Sequence, residues 1–315
     1  MRAVWLREFG GPEVLVPGTA PDPAPGPGQV LVDVAHANIT FVETMFRATG
    51  FGPFGAELPL IPGNGVGGTI TELGPGVDPA LAGRVVVTAT GGYAERVVVD
   101  QGAPVRVPPG LALDAAVALM ADGRTALMLA RAAGLRQGDR VLVEAAAGGV
   151  GSLLVQLAAR AGATVVAAAG GPAKVTTLRA GRLDVVVDYR QPGWTDRVRD
   201  AVGAVDVVFD GVGGPLAREA FGLLDPGGRM LSFGLASGTW ADIPAESAAA
   251  RGVTLLRPRP GPDELRALTE AALAEGAAGR LRPLIGRRFP LERAAEAHAA
   301  IEARETMGKT LLDVR

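Results

Sequence analysis

Arg140-Val-Leu-Val-Glu-Ala-Ala-Ala-Gly-Gly-Val-Gly-Ser-Leu-Leu-Val-Gln-Leu-Ala-Ala-Arg160 is the stretch whose reading decides the fold. The short apolar run Val141 to Val143 predicts a strand. Small residues, Ala145 to Gly151, predict a tight turn. Val150, Leu153, Leu154 and Leu157 then recur at helical spacing and share one face. Strand, glycine turn and helix together present free backbone N–H groups and a positive helix end to a phosphate. The spacing Ala146-x-Gly148-x-x-Gly151 is the dinucleotide fingerprint with alanine at its first position. Gly148 lets the backbone approach a pyrophosphate, and Gly151 lets the helix pack closely on the strand. In a chain with 45 glycines the motif gains its weight from context, a repeating strand–helix series around it.

That series is regular beyond Arg140. Strands are expected at Val141–Glu144, Thr164–Ala168, Val185–Asp188, Val205–Phe209, Arg229–Phe233 and Val253–Leu256. Helices are expected at Val150–Ala161, Ala173–Ala180, Trp194–Val202 and Pro215–Leu223. This is the pattern of an α/β doubly wound parallel sheet. The first part of the chain differs. Ala3–Leu6, Gln29–Ala35, Gly68–Leu73, Arg84–Thr88 and Ala94–Val99 are strand-length segments punctuated by Pro and Gly, most densely from Pro17 to Gly28. They predict a β-barrel-like domain. Thr40 to Ala48 predicts a short helix, with Thr40 as N-cap and Glu43 at capping-box spacing. Asp114 to Gly134 predicts a helical connection broken near Asp122-Gly123. After a helix at Asp263–Ala278, an extended Arg288–Pro290, a helix at Leu291–Ala303 and a strand at Thr310–Val314 return to the first domain. The expected division is residues 1–120 with 265–315, and residues 121–264.

Composition excludes several classes. The chain has 315 residues, enough for two domains and a substantial core. Acidic and basic residues nearly balance, 33 against 31, so no nucleic-acid partner is expected. No apolar run is long enough to span a membrane, and Arg7 and Glu8 interrupt the apolar start, unlike a secretory signal. A cytoplasmic protein is expected. With no cysteine, disulfides, thiolate metal sites and a Cys nucleophile are absent. The two histidines, His36 and His298, lie far apart, and no metal site is expected.

The coenzyme is argued from the end of the second strand of the series. An NAD site wants a carboxylate there for the ribose 2′-hydroxyl. Here the strand runs Val165 to Ala169 and into Gly170-Gly171 without an acid, and Lys174 opens the next helix. A cation in place of an acid favours the 2′-phosphate of NADPH. Arg190 and Arg179 are weaker alternatives for that anion. Tyr189 either edges the adenosine pocket or packs. Asp210-Gly211-Val212-Gly213-Gly214 ends the fourth strand and Ser232-Phe233-Gly234 the fifth. Ligands of such sheets bind beyond the carboxyl ends of the strands, so both loops are expected to line the cofactor site. Asp210 is either a turn-capping acid or a functional one. No convincing general acid is visible. Tyr93 reads as a strand-edge aromatic, His36 as a structural histidine, and His298 as a surface or packing residue. No serine sits in a Gly-x-Ser-x-Gly elbow, which disfavours hydrolysis.

Across its length the chain resembles the zinc-independent quinone oxidoreductases, relatives of zeta-crystallin, in the medium-chain dehydrogenase/reductase superfamily. The carrying segments are Phe9-Gly-Gly-Pro-Glu-Val-Leu15, Ala145-Ala-Ala-Gly-Gly-Val-Gly151 with Ser152, Val207-Val-Phe-Asp-Gly-Val-Gly213, Gly227-Gly-Arg-Met-Leu-Ser-Phe-Gly234, and Ala294-Ala-Glu-Ala-His298 leading to Gly308-Lys309. The resemblance implies a GroES-like β-barrel domain built from both chain ends, a Rossmann domain, and hydride transfer from NADPH without a metal, commonly in a homodimer. It assigns Gly148, Gly149 and Val150 to the pyrophosphate and Gly171, Lys174 and Tyr189 to the adenosine phosphate. Phe233 and Gly234 go to the nicotinamide ribose, Thr125 to the nicotinamide, and Lys309 to the cofactor as a basic partner. Where many members carry Asn-Phe-x-Asp-x-Tyr, this chain has Thr40-Phe-Val-Glu-Thr-Met45, so Thr40 and Glu43 stand in the catalytic positions and Met45 replaces a tyrosine. Asn64 stands where many members have Glu. The expected substrate is a quinone. The alternatives are an enone or enoyl-thioester acceptor, or a non-catalytic NADPH-binding protein.

Overall fold

The computed structural model describes residues 1–52, 57–89, 91–181, 183 and 185–315. The chain divides into two compact units, residues 1–123 with 269–315, and residues 124–268. In the first unit the elements in chain order are β1 (Arg2–Leu6), β2 (Leu15–Thr19), β3 (Gln29–Ile39), α1 (Phe41–Thr49), β4 (Val66–Leu73), β5 (Val85–Thr88), β6 (Arg96–Asp100), β7 (Val105–Arg106) and α2 (Leu113–Ala118). The second unit carries α3 (Arg124–Ala133), β8 (Arg140–Val143), α4 (Gly149–Arg160), β9 (Thr164–Ala169), α5 (Pro172–Ala180), β10 (Val185–Asp188), α6 (Trp194–Val202), β11 (Val205–Asp210), α7 (Gly214–Phe221), β12 (Leu224–Ser232), α8 (Ala245–Ala250) and β13 (Thr254–Leu256). Then follow α9 (Pro262–Ala277), β14 (Ile285–Pro290), α10 (Ala294–Glu302) and β15 (Lys309–Asp313).

The second unit is the expected Rossmann sheet. Its strands lie in the order β10-β9-β8-β11-β12-β13, all parallel, which is 3-2-1-4-5-6 in order of occurrence. Parallel strands covered on both faces must be apolar throughout, and Val141, Leu142, Val143, Val165, Val166, Ala167, Val207, Val208 and Phe209 are all buried. At the opposite end from the loops, Arg140 donates to Asp206 on β11 and to Asp225 on β12, at 2.9 and 2.7 Å, tying three strands together.

The first unit is organised by β3. On one side β3 pairs with β4; on the other its two halves pair with β6 and with β15, so the C-terminal strand closes beside residues 36–39. Its core gathers Val4, Leu6, Val34, Ile39, Phe46, Tyr93, Leu291 and Leu312.

Three local differences from the sequence reading have physical causes. β2 runs through Val16-Pro17-Gly18, which reads as turn; it is an edge strand paired only with β1, where Pro17 faces Val4 and needs no N–H. The expected break at Asp122-Gly123 is instead a π-helical turn, Leu119–Gly123, that joins α2 to α3 without a gap. α8, Ala-Glu-Ser-Ala-Ala-Ala, is too short and too uniform to show a helical period.

The fingerprint turn sets the tolerance of the second unit. A Cβ on Gly151 would lie 2.3 Å from the carbonyl oxygen of Ala145 and 2.9 Å from the Ala146 Cα. Helix propensity favours Gly151→Ala by about 1 kcal/mol, and the clash with fixed backbone opposes it by about 1–3 kcal/mol. Gly151→Ala is therefore expected to lower stability by a net of up to ~2 kcal/mol, read as a lower urea midpoint at unchanged slope. A midpoint at or above the parent's contradicts this account of the turn.

Candidate active site

In the second unit the sequence-predicted cofactor residues collect at the carboxyl ends of the strands. Ala145 turns the chain with a φ of 48°, and the N–H of Gly148 closes the turn on the Ala145 carbonyl at 2.8 Å. Helix α4 starts at Gly149 with no side chain capping it and no acid in its first turn. Its first N–H groups have no acceptor within the helix, and Gly148, Gly149 and Val150 are partly exposed. A diphosphate fits this end: it supplies the missing acceptors and meets the positive pole of the dipole.

The next two loops adjoin. Asp210 is fully buried, and its Oδ1 accepts from the N–H groups of Val212 (3.0 Å) and Gly213 (2.7 Å). Asp210 is thus a turn-capping acid. The Phe233 N–H reaches the Asp210 carbonyl at 2.9 Å. A Cβ on Gly211 would meet the Phe233 ring at 2.9 Å, and one on Gly234 the Gly211 carbonyl oxygen at 2.5 Å. Gly211 and Val212 are buried, whereas Phe233 and Gly234 are partly exposed above them.

At the ends of β9 and β10 lie Gly171, Lys174 and Tyr189. The Tyr189 ring packs where a Cβ on Gly170 would stand, 2.8 Å away. Lys174 occupies the first turn of α5 and is half-buried. One acid escaped the sequence reading. Asp188, from β10, accepts from the N–H groups of Gly171 and Arg190, each at 2.9 Å. Burial works against its charge, but those two N–H groups, together with the Gln191 side chain and the Arg190 charge, outweigh it and hold the carboxyl below its usual range. The Arg190 guanidinium comes within 3.6 Å of a Cβ position on Gly171. The corner thus holds a backbone-satisfied carboxylate with two cations, Lys174 and Arg190. Thr125 is the second residue of α3 in the same unit and is partly exposed.

In the first unit Thr40 and Glu43 form the expected capping box of α1. They also belong to a longer chain. Asn38 Nδ2 donates to Asn64 Oδ1 (2.9 Å), and Asn64 Nδ2 to Thr40 Oγ1 (3.2 Å). The Thr40 hydroxyl and N–H both donate to Glu43 Oε2 (2.8 and 2.6 Å). The Tyr93 hydroxyl donates to Glu43 Oε1 at 2.9 Å and lies 2.9 Å from His298 Nε2. Burial lowers His298 to about 3, helped by the Arg47 charge, so the ring is neutral. With the Tyr93 proton given to Glu43, Nε2–H donates to the Tyr93 oxygen, and Nδ1 is left as the bare nitrogen; it indeed has no partner. All these bonds converge on one carboxylate. Burial raises Glu43 above its usual value, against the opposing bonds from Thr40 and Tyr93 and the nearby charge of Lys309.

Several sequence expectations change here. Glu43 is only 3% exposed, so its carboxylate offers almost no surface to a ligand and is reached through the partly exposed Thr40. Tyr93 is fully buried rather than lining an exposed strand edge, and of the two readings of His298, surface or packing, the second holds, since the ring is buried. The signal for His298 was available: on α10 it shares a face with Ala294, Ala297 and Ile301. His36 bonds Asp313 across β3 and β15 at 2.8 Å, a structural role. Lys309 is buried, and its Nζ pairs with Asp122 Oδ1 at 3.0 Å. Thr40 and Asn64 are the members of the network that stay partly exposed.

Comparison with known proteins agrees with both units. Residues 26–109 match the model of the alcohol dehydrogenase GroES-like domain, and residues 182–312 that of a zinc-binding dehydrogenase. A probable quinone oxidoreductase of Schizosaccharomyces pombe is 33% identical over 98% of this chain and 96% of its own length. A 2-haloacrylate reductase of a Burkholderia species is 30% identical over 98% of both chains. A mycobacterial protein whose structure was solved with NADPH superposes with a TM-score of 0.89 at 32% identity, covering 99% of each chain. The zinc of the second family description finds no ligand set here: the chain has no cysteine, and among the described residues no group of three His, Asp or Glu side chains could hold a metal ion. By its GroES-like and Rossmann units, its fingerprint turn and its full-length relatives, the chain belongs to the quinone oxidoreductases of the medium-chain dehydrogenase/reductase superfamily.

Proposed function

We propose that this protein is an NADPH-dependent oxidoreductase that reduces quinones or related conjugated carbonyls without a metal. The observation that carries the cofactor half is the uncapped, acid-free N-terminus of α4 at Gly148 to Val150, with Lys174 and Arg190 at the neighbouring corner. When bound, NADPH supplies the hydride. Gly148, Gly149 and Val150 hold its diphosphate, Gly171, Lys174 and Tyr189 its adenosine phosphate, and Gly211, Val212, Phe233 and Gly234 its nicotinamide half, with Thr125 near the ring. Lys309, paired with Asp122, sets the charge beside Glu43 rather than meeting the cofactor directly.

Thr40 and Asn64 form the acceptor side. Thr40 is held by Glu43, and Asn64 spends one amide hydrogen on Thr40, leaving the other for the acceptor's oxygen. Glu43 is a positioning residue that acts through Thr40. A quinone takes hydride readily, and its oxyanion then takes a proton from water. The requirement on the protein is placement within about 3–3.5 Å of the transferring atom. The relationship to a 2-haloacrylate reductase supports a second acceptor class, activated carbon–carbon double bonds conjugated to a carbonyl. A homodimer in the cytoplasm completes the proposal; no helix of the described residues is long and apolar enough to cross a membrane.

Oxidation of NADPH, followed by absorbance with a panel of quinones and enones, tests the reading. Turnover is expected with at least one quinone, and none with any acceptor would overturn it. Lys174→Ala is expected to raise the Kd for NADPH about tenfold, ~1.4 kcal/mol, and to leave that for NADH unchanged; equal losses for both would remove Lys174 from the phosphate. Thr40→Val is expected to lower kcat/KM for the quinone about tenfold at an unchanged Kd for NADPH, with Thr40→Ser restoring most of it. Full activity in Thr40→Val would take Thr40 out of the acceptor site.

A further inference from the structure

Beneath the cofactor loops of the second unit lies a pair of acids that the proposed reaction does not use. Val143 on β8 pairs with Phe209 on β11, and the Glu144 N–H donates to the Phe209 carbonyl at 3.0 Å. Glu144 and Asp210 are therefore neighbours at the carboxyl ends of adjacent parallel strands. They follow Leu142 and Val208 by two residues and so share the face that packs against Trp194, Ala217 and Ala220. Both are 0% exposed. Asp210 Oδ1 is occupied by Val212 and Gly213, but among the described residues Asp210 Oδ2 and both Glu144 oxygens have no donor at hydrogen-bonding geometry, the Val212 N–H acting on Glu144 only as a weaker dipole.

Two bare carboxylates side by side in an apolar core are not sustainable. Each carries a desolvation cost of several kcal/mol, and their mutual repulsion adds to it. The charges acting on Glu144 are both negative, Asp210 on β11 and Glu219 on α7. On its other side β9 presents Ala167 and Ala168. Among these neighbours no cation is available to compensate. One proton resolves the conflict, because a carboxylic acid can donate to an adjacent carboxylate.

Resting on the cofactor reading above, we propose that Glu144 is a neutral carboxylic acid that donates its proton to Asp210. This bond fixes Asp210 where its other oxygen shapes the 211–213 loop for the cofactor. Glu144 is thus a positioning residue that joins the end of the fingerprint strand to the loop after β11. Burial, and after it the charge of Asp210, push the Glu144 carboxyl well above its ordinary 4.5, against a smaller pull from the Val212 N–H. The unfolded chain releases this proton near that ordinary value while the folded chain keeps it. Stability from Glu144 is therefore full in acid and declines as pH rises from about that point towards the folded value.

Glu144→Gln keeps a neutral donor but cannot ionise; Glu144→Met keeps the volume and removes the donor. Against the wild type, the melting temperature of Glu144→Gln without cofactor is expected to gain as pH rises from 4 to 8, whereas parallel profiles would overturn the shared proton. The Kd for NADPH is expected to stay within about twofold in Glu144→Gln and to rise about tenfold in Glu144→Met, the usual scale for leaving one buried acceptor unpaired. A folded Glu144→Met that binds like the wild type would overturn the positioning role. Should neither variant fold, infrared spectra of the wild type at neutral pH decide: the carbonyl band of an un-ionised buried carboxyl supports the proposal, and its absence sinks it. If the wild type itself binds no NADPH, the cofactor reading fails separately, and the melting and infrared results still place the proton.

Discussion

The second unit depends on one close approach, that of helix α4 to the turn before it. Only hydrogen at the Cα of Gly151 lets the helix settle on Ala145 and Ala146, because any Cβ would sit 2.3 Å from a backbone oxygen. That contact aims the helix end, and its uncapped N–H groups, at the space beyond the strands. Ala145, in the left-handed region, completes the reversal. Main-chain atoms do this work, so the site tolerates an alanine at the first fingerprint position. The same economy recurs at Gly211 and Gly234, where two loops touch backbone to backbone or backbone to ring.

The first unit follows a different principle. Its polar residues are drawn inward and made to satisfy one another. Glu43 collects three hydrogen bonds from Thr40 and Tyr93, Tyr93 a fourth from His298, and Asn64 relays the order to Asn38. A buried network of this kind fixes geometry because each donor has one acceptor in reach. It opens outward at Thr40 and Asn64, where the acceptor side is assigned. Met45, in place of the family's tyrosine, contributes no hydroxyl to it. Rigid support behind a small exposed polar edge suits a reaction whose main demand is placement.

Carboxylates shielded to different degrees are handled in contrasting ways. Glu43 is surrounded by donors, and Asp188 is held by backbone N–H groups. Glu144 and Asp210 have too few donors between them, which is why a proton is assigned to the pair. Arg140, at the other end of the same strand as Glu144, shows the third solution, ion pairing with Asp206 and Asp225 where water still reaches. Depth and the supply of N–H groups decide which solution each acid takes.

Local and periodic features were legible in the sequence because they are properties of neighbouring residues. The parallel strands, their helices, the capping box of Thr40 and Glu43, and the fingerprint turn all follow from spacing, glycine placement and side-chain size. What joins residues distant in the chain was not legible. Nothing near Asp188 in sequence says that it reaches Gly171, nor that Tyr93 meets His298 across 205 positions. Lys309 read as a cation for a ligand and is a partner of Asp122. Glu144 read as the last residue of a strand, and only pairing with β11 sets it against Asp210. The sequence determined which segments become strands, helices and turns, since those depend on local sterics and on the period of apolar residues. The tertiary structure alone decided which polar groups are buried together, because burial and partnership are set by strand register and chain return.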